Sequence, residues 1–554
     1  MKIVIADGLP ASALESLNQP DWIVDSRQGR SPAELANDLR DADALVVRSA
    51  TKVTREVIGA AERLRVIARA GTGVDNVDVA AATARGIVVM NAPGANSLSV
   101  AELAMGLVLS LARNIPAADA SMKTAKWEKS KFAGAEIRSK TLGLVGLGRI
   151  GQEVAARAHA FEMNVIAHDP FISAEMAASL GVELLSLDEL CARADYISLH
   201  LPALPSTKHI FNAERFARCK KGVRLINTAR GELIDEAALA DAIEQGQVGG
   251  AGLDVFETEP PTNWRLATLP QVVATPHIAA STREAQEQVG TETAAALRDF
   301  LKEGIIRNAV NFPSVSQEEY KRLRPYLTLA NRLGLVAAQM GEAPIGAVGV
   351  RYYGELAGET NQLLGSAVLE GIFSAILSSG GVTPVNARTV ALERGIELIE
   401  SRSTRARNYT SLISVKLHTD APSTSAGTAR ATSGDGGDRW VEGTVFADGS
   451  LRLVLVDGVS VEAPLDGTLL IIKNNDQPGV IGDVGTLLGR HRVNIASFAL
   501  GRDAECVDCA IGVVKVDEHP ENGAGGTVTD EVLAEIRGTS NIRSVWRVRI
   551  LAAP

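Results

Sequence analysis

The sequence predicts an α/β chain: two parallel-sheet units, the second inserted into the first, then an α+β unit and a small ferredoxin-like one. Three observations carry this. Short apolar strands alternate with amphipathic helical stretches from residue 1 to about 94 and again from Lys140 to about Ala280, the pattern of βαβ units. A strand runs straight into a glycine-rich turn and a helix at Thr141–Phe161. From Thr468 the order reads β-α-β-β-α-β.

The elements follow in order. Lys2-Ile3-Val4-Ile5-Ala6-Asp7 reads as the first strand, and Ala44–Val47, Arg65–Ala68 and Ile87–Met90 continue the series. A long helix is expected over Ser99–Arg113, opened by a capping box of Ser99 and Glu102. Its apolar positions cover nearly every side, which implies burial between domains or subunits. The second series has strands at Thr141–Val145, Asn164–His168, Tyr196–Leu199, Arg224–Asn227, Gly250–Val255 and Val272–Ala274. A helix from Ser281 to Glu303 then returns the chain to close the first unit. Beyond Pro313 come helices and alternating strands without a glycine-rich turn, interrupted by a polar stretch, Ser423–Asp438, that reads as a mobile loop. The last section has strands at Thr468–Ile472, Val493–Phe498, Val507–Val516 and Ile542–Ile550.

Composition narrows the class. The chain has 554 residues, 46% hydrophobic and 22% charged, which fits several folded domains and excludes a chain disordered throughout. A net charge of −10 without a basic block argues against nucleic acid and anionic membranes as partners. Four cysteines are too few for a disulfide scaffold, and Leu103–Ala112 is too short to span a bilayer. No secretory leader precedes the first strand, so a soluble cytoplasmic protein is expected. Cys506 and Cys509 fall within an expected strand, on opposite faces and without a second pair; they read as structural rather than metal-binding.

Gly146-Leu147-Gly148-Arg149-Ile150-Gly151 has the context of a dinucleotide fingerprint. Gly146 permits the tight turn, Gly148 lets the backbone approach a pyrophosphate, and Gly151 lets helix and strand pack closely. The next strand ends at Asp169, whose carboxylate suits two ribose hydroxyls and repels a 2′-phosphate; its bland alternative is a turn residue before Pro170. No lysine or arginine follows, so NAD is expected rather than NADP.

Arg230, Glu259 and His277 each lie just past a predicted strand, where open α/β sheets place their sites. Interconverting a 2-hydroxy acid and its keto acid needs a proton-transfer group, a cation for the carboxylate and carbonyl, and a carboxylate to orient the imidazole. His277, Arg230 and Glu259 supply these types. Each alone could be structural; together, beside the fingerprint, they read as a catalytic set.

Gly146–Gly151, Asn227–Gly231, Asp254–Pro261 and Pro276–Thr282 resemble the D-isomer-specific 2-hydroxyacid dehydrogenases. Val47–Thr54, Arg69–Asp78 and Asn96–Ser99 look like the long-form D-3-phosphoglycerate dehydrogenases within that family. The resemblance implies a Rossmann-type doubly wound NAD domain (residues 95–280) inserted in a flavodoxin-like substrate domain (1–94 and 281–314). An α+β intervening domain of the allosteric substrate binding type (315–466) and an ACT regulatory domain (467–554) would follow. It implies NAD contacts at Thr72, Arg149, Ile150, Asp169, Thr228, Ala229, Asp254, His277, Ala279 and Ala280. For the substrate, 3-phosphoglycerate, it implies Arg48, Arg69 and Asn96 beside Arg230 and His277. The pattern departs at Ala279, usually Gly, at Leu201, a Thr in some relatives, and at Asn474, often His or an aromatic. The resemblance also implies a homotetramer in which paired ACT domains bind an amino acid; Asp476 and Asn494 suit L-serine. A glyoxylate or hydroxypyruvate reductase, or a dinucleotide or serine sensor without turnover, are the alternative readings.

Overall fold

In β3 (Ala44–Val47) every residue is apolar, and a strand with no polar face is stable only with helices on both sides of its sheet. The computed structural model describes residues 1–358, 361–377, 381–405, 407–419, 438–503, 506, 508–518 and 526–550. It places β3 at the centre of a five-stranded parallel sheet with β1 (Lys2–Ile5), β2 (Ile23–Ser26), β4 (Val66–Arg69) and β5 (Val88–Met90). The order β2-β1-β3-β4-β5 is the flavodoxin-like one. Leu35, Val57, Ile58, Ala81 and Ala82 cover one face from three short helices. Ala13 and Leu17 cover the other together with Ala294, Leu297, Phe300 and Leu301 of the helix Arg283–Glu303, which returns from much later in the chain.

Between β5 and that helix lies a second parallel sheet: β6 (Thr141–Val145), β7 (Asn164–His168), β8 (Glu183–Leu184), β9 (Tyr196–Leu199), β10 (Val223–Asn227), β11 (Val248–Leu253) and β12 (Val272–Ala274). Its order, β12-β11-β10-β9-β6-β7-β8, reverses between β6 and β9, the doubly wound pattern with a crevice at the carboxyl ends of those strands. The crossing helix begins at Ser97, not Ser99, and its N-cap residue Asn96 makes no side-chain cap. The expected capping box is absent because Ser99 lies inside the first turn, where its Oγ meets Thr282 Oγ1 of the returning crossover at 2.7 Å. The strand expected at Gly250–Val255 runs two residues earlier, because Asp254 and Val255 already belong to the turn that leaves the sheet.

The third sheet holds β13 (Ile345–Gly354), β14 (Glu397–Ser403), β15 (Ser411–Thr419), β16 (Arg439–Val445), β17 (Leu451–Val456) and β18 (Val459–Pro464), in the order β14-β13-β15-β16-β17-β18. The helices Gln317–Met340 and Asn361–Ile376 pack on it. Most of the expected loop Ser423–Asp438 lies outside the described residues. The fourth sheet, β19 (Gly467–Asn474), β20 (Asn494–Arg502), β21 (Ala510–Asp517) and β22 (Ile542–Ile550), has the ferredoxin-like order β20-β21-β19-β22 with its two helices on one face. Its other face shares one apolar cluster with the third sheet, through Leu469, Ile471, Val513, Trp546 and Val548.

Cys506 and Cys509 correct the sequence reading. They precede β21 in a turn closed by Cys509 N–H donating to Cys506 O at 3.0 Å, so their side chains point the same way, and they form a disulfide. Contacts also tie the third unit to the first. Thr383 Oγ1 donates to Gly86 O (2.9 Å) and Asn386 Nδ2 to Ala84 O (3.2 Å), while Val385 enters the core of the first sheet.

Candidate active site

The glycine turn is built for a close approach. Gly146 has φ +101°, and a Cβ there would sit 2.6 Å from His200 O; a Cβ on Gly151 would overlap Gly146 O. At Gly148, by contrast, an added Cβ meets nothing within 4 Å. The turn is therefore tight on its protein side and open on the side where the helix Arg149–Ala160 presents its free N–H groups. Asp169 Oδ2 accepts the Leu147 N–H at 2.8 Å and its Oδ1 accepts that of Phe171, so the carboxylate braces the turn as well as closing its own. Beyond β10, Thr228 is buried and its Oγ1 has no hydrogen-bond partner. An open cradle, a helix N-terminus, a carboxylate past the next strand and an orphaned hydroxyl are the donor set a dinucleotide requires. His200, beneath the turn, is pushed down to about 4 by burial and stays neutral, with Nε2 2.9 Å from Ser198 Oγ.

His277 lies after β12 with φ +52°, a conformation costing about 1–2 kcal/mol for a residue with a Cβ. Asp254, wholly buried after β11, holds it there. Its Oδ1 accepts from Thr275 Oγ1 (2.5 Å) and Ile278 N–H (2.9 Å), its Oδ2 from Ala279 N–H (2.8 Å), and its carbonyl from His277 N–H (2.8 Å). These four bonds make Asp254 the anchor of the loop that carries His277. His277 Nδ1 is 2.6 Å from Glu259 Oε2. That hydrogen bond raises the imidazole's pKa against the opposing effect of burial. Burial pushes the Glu259 carboxyl up, but the bonds from His277 and the Phe256 N–H outweigh it and hold it below its ordinary range. The pair is thus arranged to favour imidazolium beside carboxylate, with His277 half exposed toward the cleft.

Arg230, past β10, reaches across to the first unit. Its Nη1 donates to Ala229 O at 2.7 Å, while Nε and Nη2 lie 3.0 and 2.9 Å from Asp75 Oδ2. Arg69 ends β4 with a buried Nε that has no partner. Burial and the nearby Arg230 and Arg48 lower its pKa, and Asp75 counteracts them. Arg48 donates to Gly8 O (3.3 Å) and to Gln286 of the returning helix. Asn96 Oδ1 accepts from Thr72 Oγ1 at 2.8 Å, and Arg149 spans the units by bonding Pro93 O. Three guanidinium groups and the His277–Glu259 pair thus border one crevice. Asp476 and Asn494 are not brought together within one chain: Asn494 begins β20 opposite Asp517, whereas Asp476 follows the far end of β19 and pairs with Arg502 at 2.8 Å.

Sequence reasoning passed over Asp75, Gln286 and Thr275. Asp75 lies within Arg69–Asp78 but carries no spacing signal, and Gln286 is a polar residue on an amphipathic helix.

Residues 105–279 match the family model of the D-isomer specific 2-hydroxyacid dehydrogenase NAD binding domain, and residues 322–457 that of the D-3-phosphoglycerate dehydrogenase intervening domain. The chain is 43% identical to the D-3-phosphoglycerate dehydrogenase of Methanocaldococcus jannaschii over 98% of its own length and 99% of that protein's. It is 44% identical to that of Mycobacterium tuberculosis over 91% and 92%. Among solved structures, a glyoxylate reductase from Paecilomyes thermophila matches 56% of this chain and 97% of its own (TM-score 0.52, 32% identity). An Aquifex aeolicus D-lactate dehydrogenase in complex with NAD and lactic acid matches 57% and 100% (TM-score 0.50, 31% identity). Fold, crevice and relatives together define an NAD-dependent oxidoreductase of the D-isomer-specific 2-hydroxyacid dehydrogenase family. Near-complete coverage of its relatives and the intervening unit place the chain in the D-3-phosphoglycerate dehydrogenase branch of that family.

Proposed function

We propose that the protein oxidises 3-phospho-D-glycerate to 3-phosphohydroxypyruvate with NAD, the first committed step of L-serine synthesis. The observation that carries it is the convergence of Arg48, Arg69 and Arg230 on the crevice bordered by the 2.6 Å His277–Glu259 pair. A substrate with one carboxylate needs one guanidinium; a phosphate in addition gives the other two a partner.

NAD, when bound on the glycine turn, supplies the acceptor for the hydride that leaves C2. Its proposed contacts are Thr72, Gly146, Gly148, Arg149, Ile150, Gly151, Asp169, Thr228, Ala229, Ala279 and Ala280, with Asp254 acting through the His277 loop. His277 Nε2 takes the substrate's hydroxyl proton while Nδ1–H stays on Glu259, which stabilises the imidazolium as it forms. Arg230 binds the carboxylate and polarises the C2 oxygen; Arg48, Arg69 and Asn96 hold the phosphate end. In the reverse direction His277 returns the proton to the carbonyl oxygen.

Regulation and assembly form the finer part of the proposal. L-serine would bind between paired ACT domains through Asp476 of one chain and Asn494 of the other, which suits their separation within a single chain. A subunit contact, which the proposed homotetramer requires, is supported by the helix Ile115–Lys123, which has no buried residue and leads to Trp127, 81% exposed. Use of NAD fits a cytoplasmic location. The test is NADH formation from 3-phosphoglycerate, with NADP and unphosphorylated D-glycerate as comparisons and L-serine titrated in. Turnover requiring NAD and the phosphate is expected; equal activity on D-glycerate overturns the substrate assignment.

A further inference from the structure

We infer that Asp75 is an internal counter-ion for Arg230, occupying the edge of the guanidinium that a substrate carboxylate must take, so that substrate binds by exchanging one carboxylate for another. The inference rests on the assignment of Arg230 as the carboxylate-binding residue. Arg230 Nη1 is committed to Ala229 O, which leaves the Nε–Nη2 edge as its face for planar recognition of a carboxylate. One oxygen of Asp75 spans that edge, at 3.0 and 2.9 Å. The anion is the partner free to leave: its side chain is 62% exposed, that of Arg230 27%.

The backbone around Asp75 does not share this freedom. Asn76 Nδ2 donates to Arg48 O and Thr51 O, both at 2.6 Å, and Asn76 O accepts the Val53 N–H at 2.8 Å. A Cβ on Gly73 would overlap Arg230 Nη2 and crowd Asp75 Oδ2, so the glycine makes room for the pair. Exchange therefore needs only a rotation of the Asp75 side chain. The pair also spans the two units that border the crevice, and Asp75 offsets the repulsion among three like charges until a substrate brings its own negative groups. Every ligand that places a carboxylate on Arg230 meets the same competition, whatever else it carries.

The experiment compares the full-length protein with Asp75→Asn and Asp75→Glu. Turnover of 3-phosphoglycerate is measured, and so is binding of oxalate and of inorganic phosphate, followed by the fluorescence of bound NADH. A half-exposed ion pair sets the scale: Asp75→Asn lowers the KM for 3-phosphoglycerate and the Kd for oxalate by about two- to fivefold, with the effect on KM rather than kcat. Phosphate, which has no need of the Arg230 edge, gains less than oxalate, and Asp75→Glu stays near the wild type. An unchanged or weakened oxalate affinity in Asp75→Asn overturns the inference. So does an equal gain for phosphate, which reports only a lost charge, or a fall in kcat at constant KM, which makes Asp75 a positioning residue that stays on Arg230 throughout. If the wild type does not turn over 3-phosphoglycerate, the substrate assignment fails, and the oxalate measurement still decides the role of Asp75.

Discussion

Replacing Asp254 with Asn tests how His277, the proposed proton-transfer group, is held. The carboxylate accepts three hydrogen bonds in a site with no exposure, two of them from the backbone N–H groups of Ile278 and Ala279. An amide has one acceptor oxygen. If that oxygen faces Ile278 and Thr275, the NH₂ group confronts Ala279 N–H; if it faces Ala279, the NH₂ confronts Ile278 N–H while Thr275 can turn to accept. Either way one buried N–H loses its acceptor, at about 1–3 kcal/mol, and the remaining bonds lose the assistance of a charge. The total of about 2–4 kcal/mol exceeds the ~1–2 kcal/mol cost of His277's left-handed backbone that the Asp254 bonds offset. The loop therefore relaxes, and kcat is expected to fall by up to about 10²-fold, since each 1.36 kcal/mol is a factor of ten. Steady-state kinetics, with NADH affinity measured separately by fluorescence, is the assay. A kcat within about threefold of wild type would falsify the reasoning. A loss confined to NADH affinity would instead make Asp254 a direct cofactor contact.

Three further outcomes follow from the same geometry. Removing the Glu259 carboxylate in Glu259→Gln takes away what raises the His277 pKa, so the acid limb of the oxidation pH profile moves to lower pH and the reduction reaction loses its imidazolium at lower pH; a limb that stays put or moves up sinks the pairing. Gly148→Ala adds a methyl group that touches no protein atom, so thermal stability holds while the KM for NAD rises by about tenfold or more, whereas Gly151→Ala overlaps Gly146 O and lowers the Tm; the two variants behaving alike would contradict the cradle. Arg69→Ala removes the proposed charge-assisted phosphate contact, at about 1.5–3 kcal/mol, and raises the KM for 3-phosphoglycerate by about 10- to 10²-fold and that for D-glycerate far less; an equal rise on both would take Arg69 off the phosphate.

Period and punctuation made the architecture legible. A short apolar run rich in β-branched residues, such as Ala44–Val47, reads as a strand buried on both faces where the longer apolar run Leu103–Ala112 reads as a buried helix, and the glycines at 146, 148 and 151 fix where strand meets helix. His277, Glu259 and Arg230 are legible as candidates because each follows a strand end and carries a type the proposed chemistry requires. What stayed hidden depends on atoms brought together from far apart. Ser99 reads as a helix cap from its neighbours, yet its hydroxyl belongs to Thr282. The cysteines look alternately faced if their segment is a strand, and the turn that actually precedes β21 turns them toward each other. Asp75 has no local signature, because its partner lies 155 residues on.

The helix Arg283–Glu303 supplies one layer of a sheet whose strands are finished by Met90. On the ribosome that order matters. At about 5–20 residues per second, the roughly 200 residues between them take about 10–40 s to emerge. Throughout that interval Ile3, Ile5, Val46, Val66, Ala68 and Val88 lack the cover of Ala294, Leu297, Phe300 and Leu301, with the short helix Ala11–Leu17 and the neighbouring Leu9, Trp22 and Val24 on that face. The first unit to be synthesised is thus unable to complete its fold before the second has been made, and one face of its newly translated sheet stays partly uncovered until then.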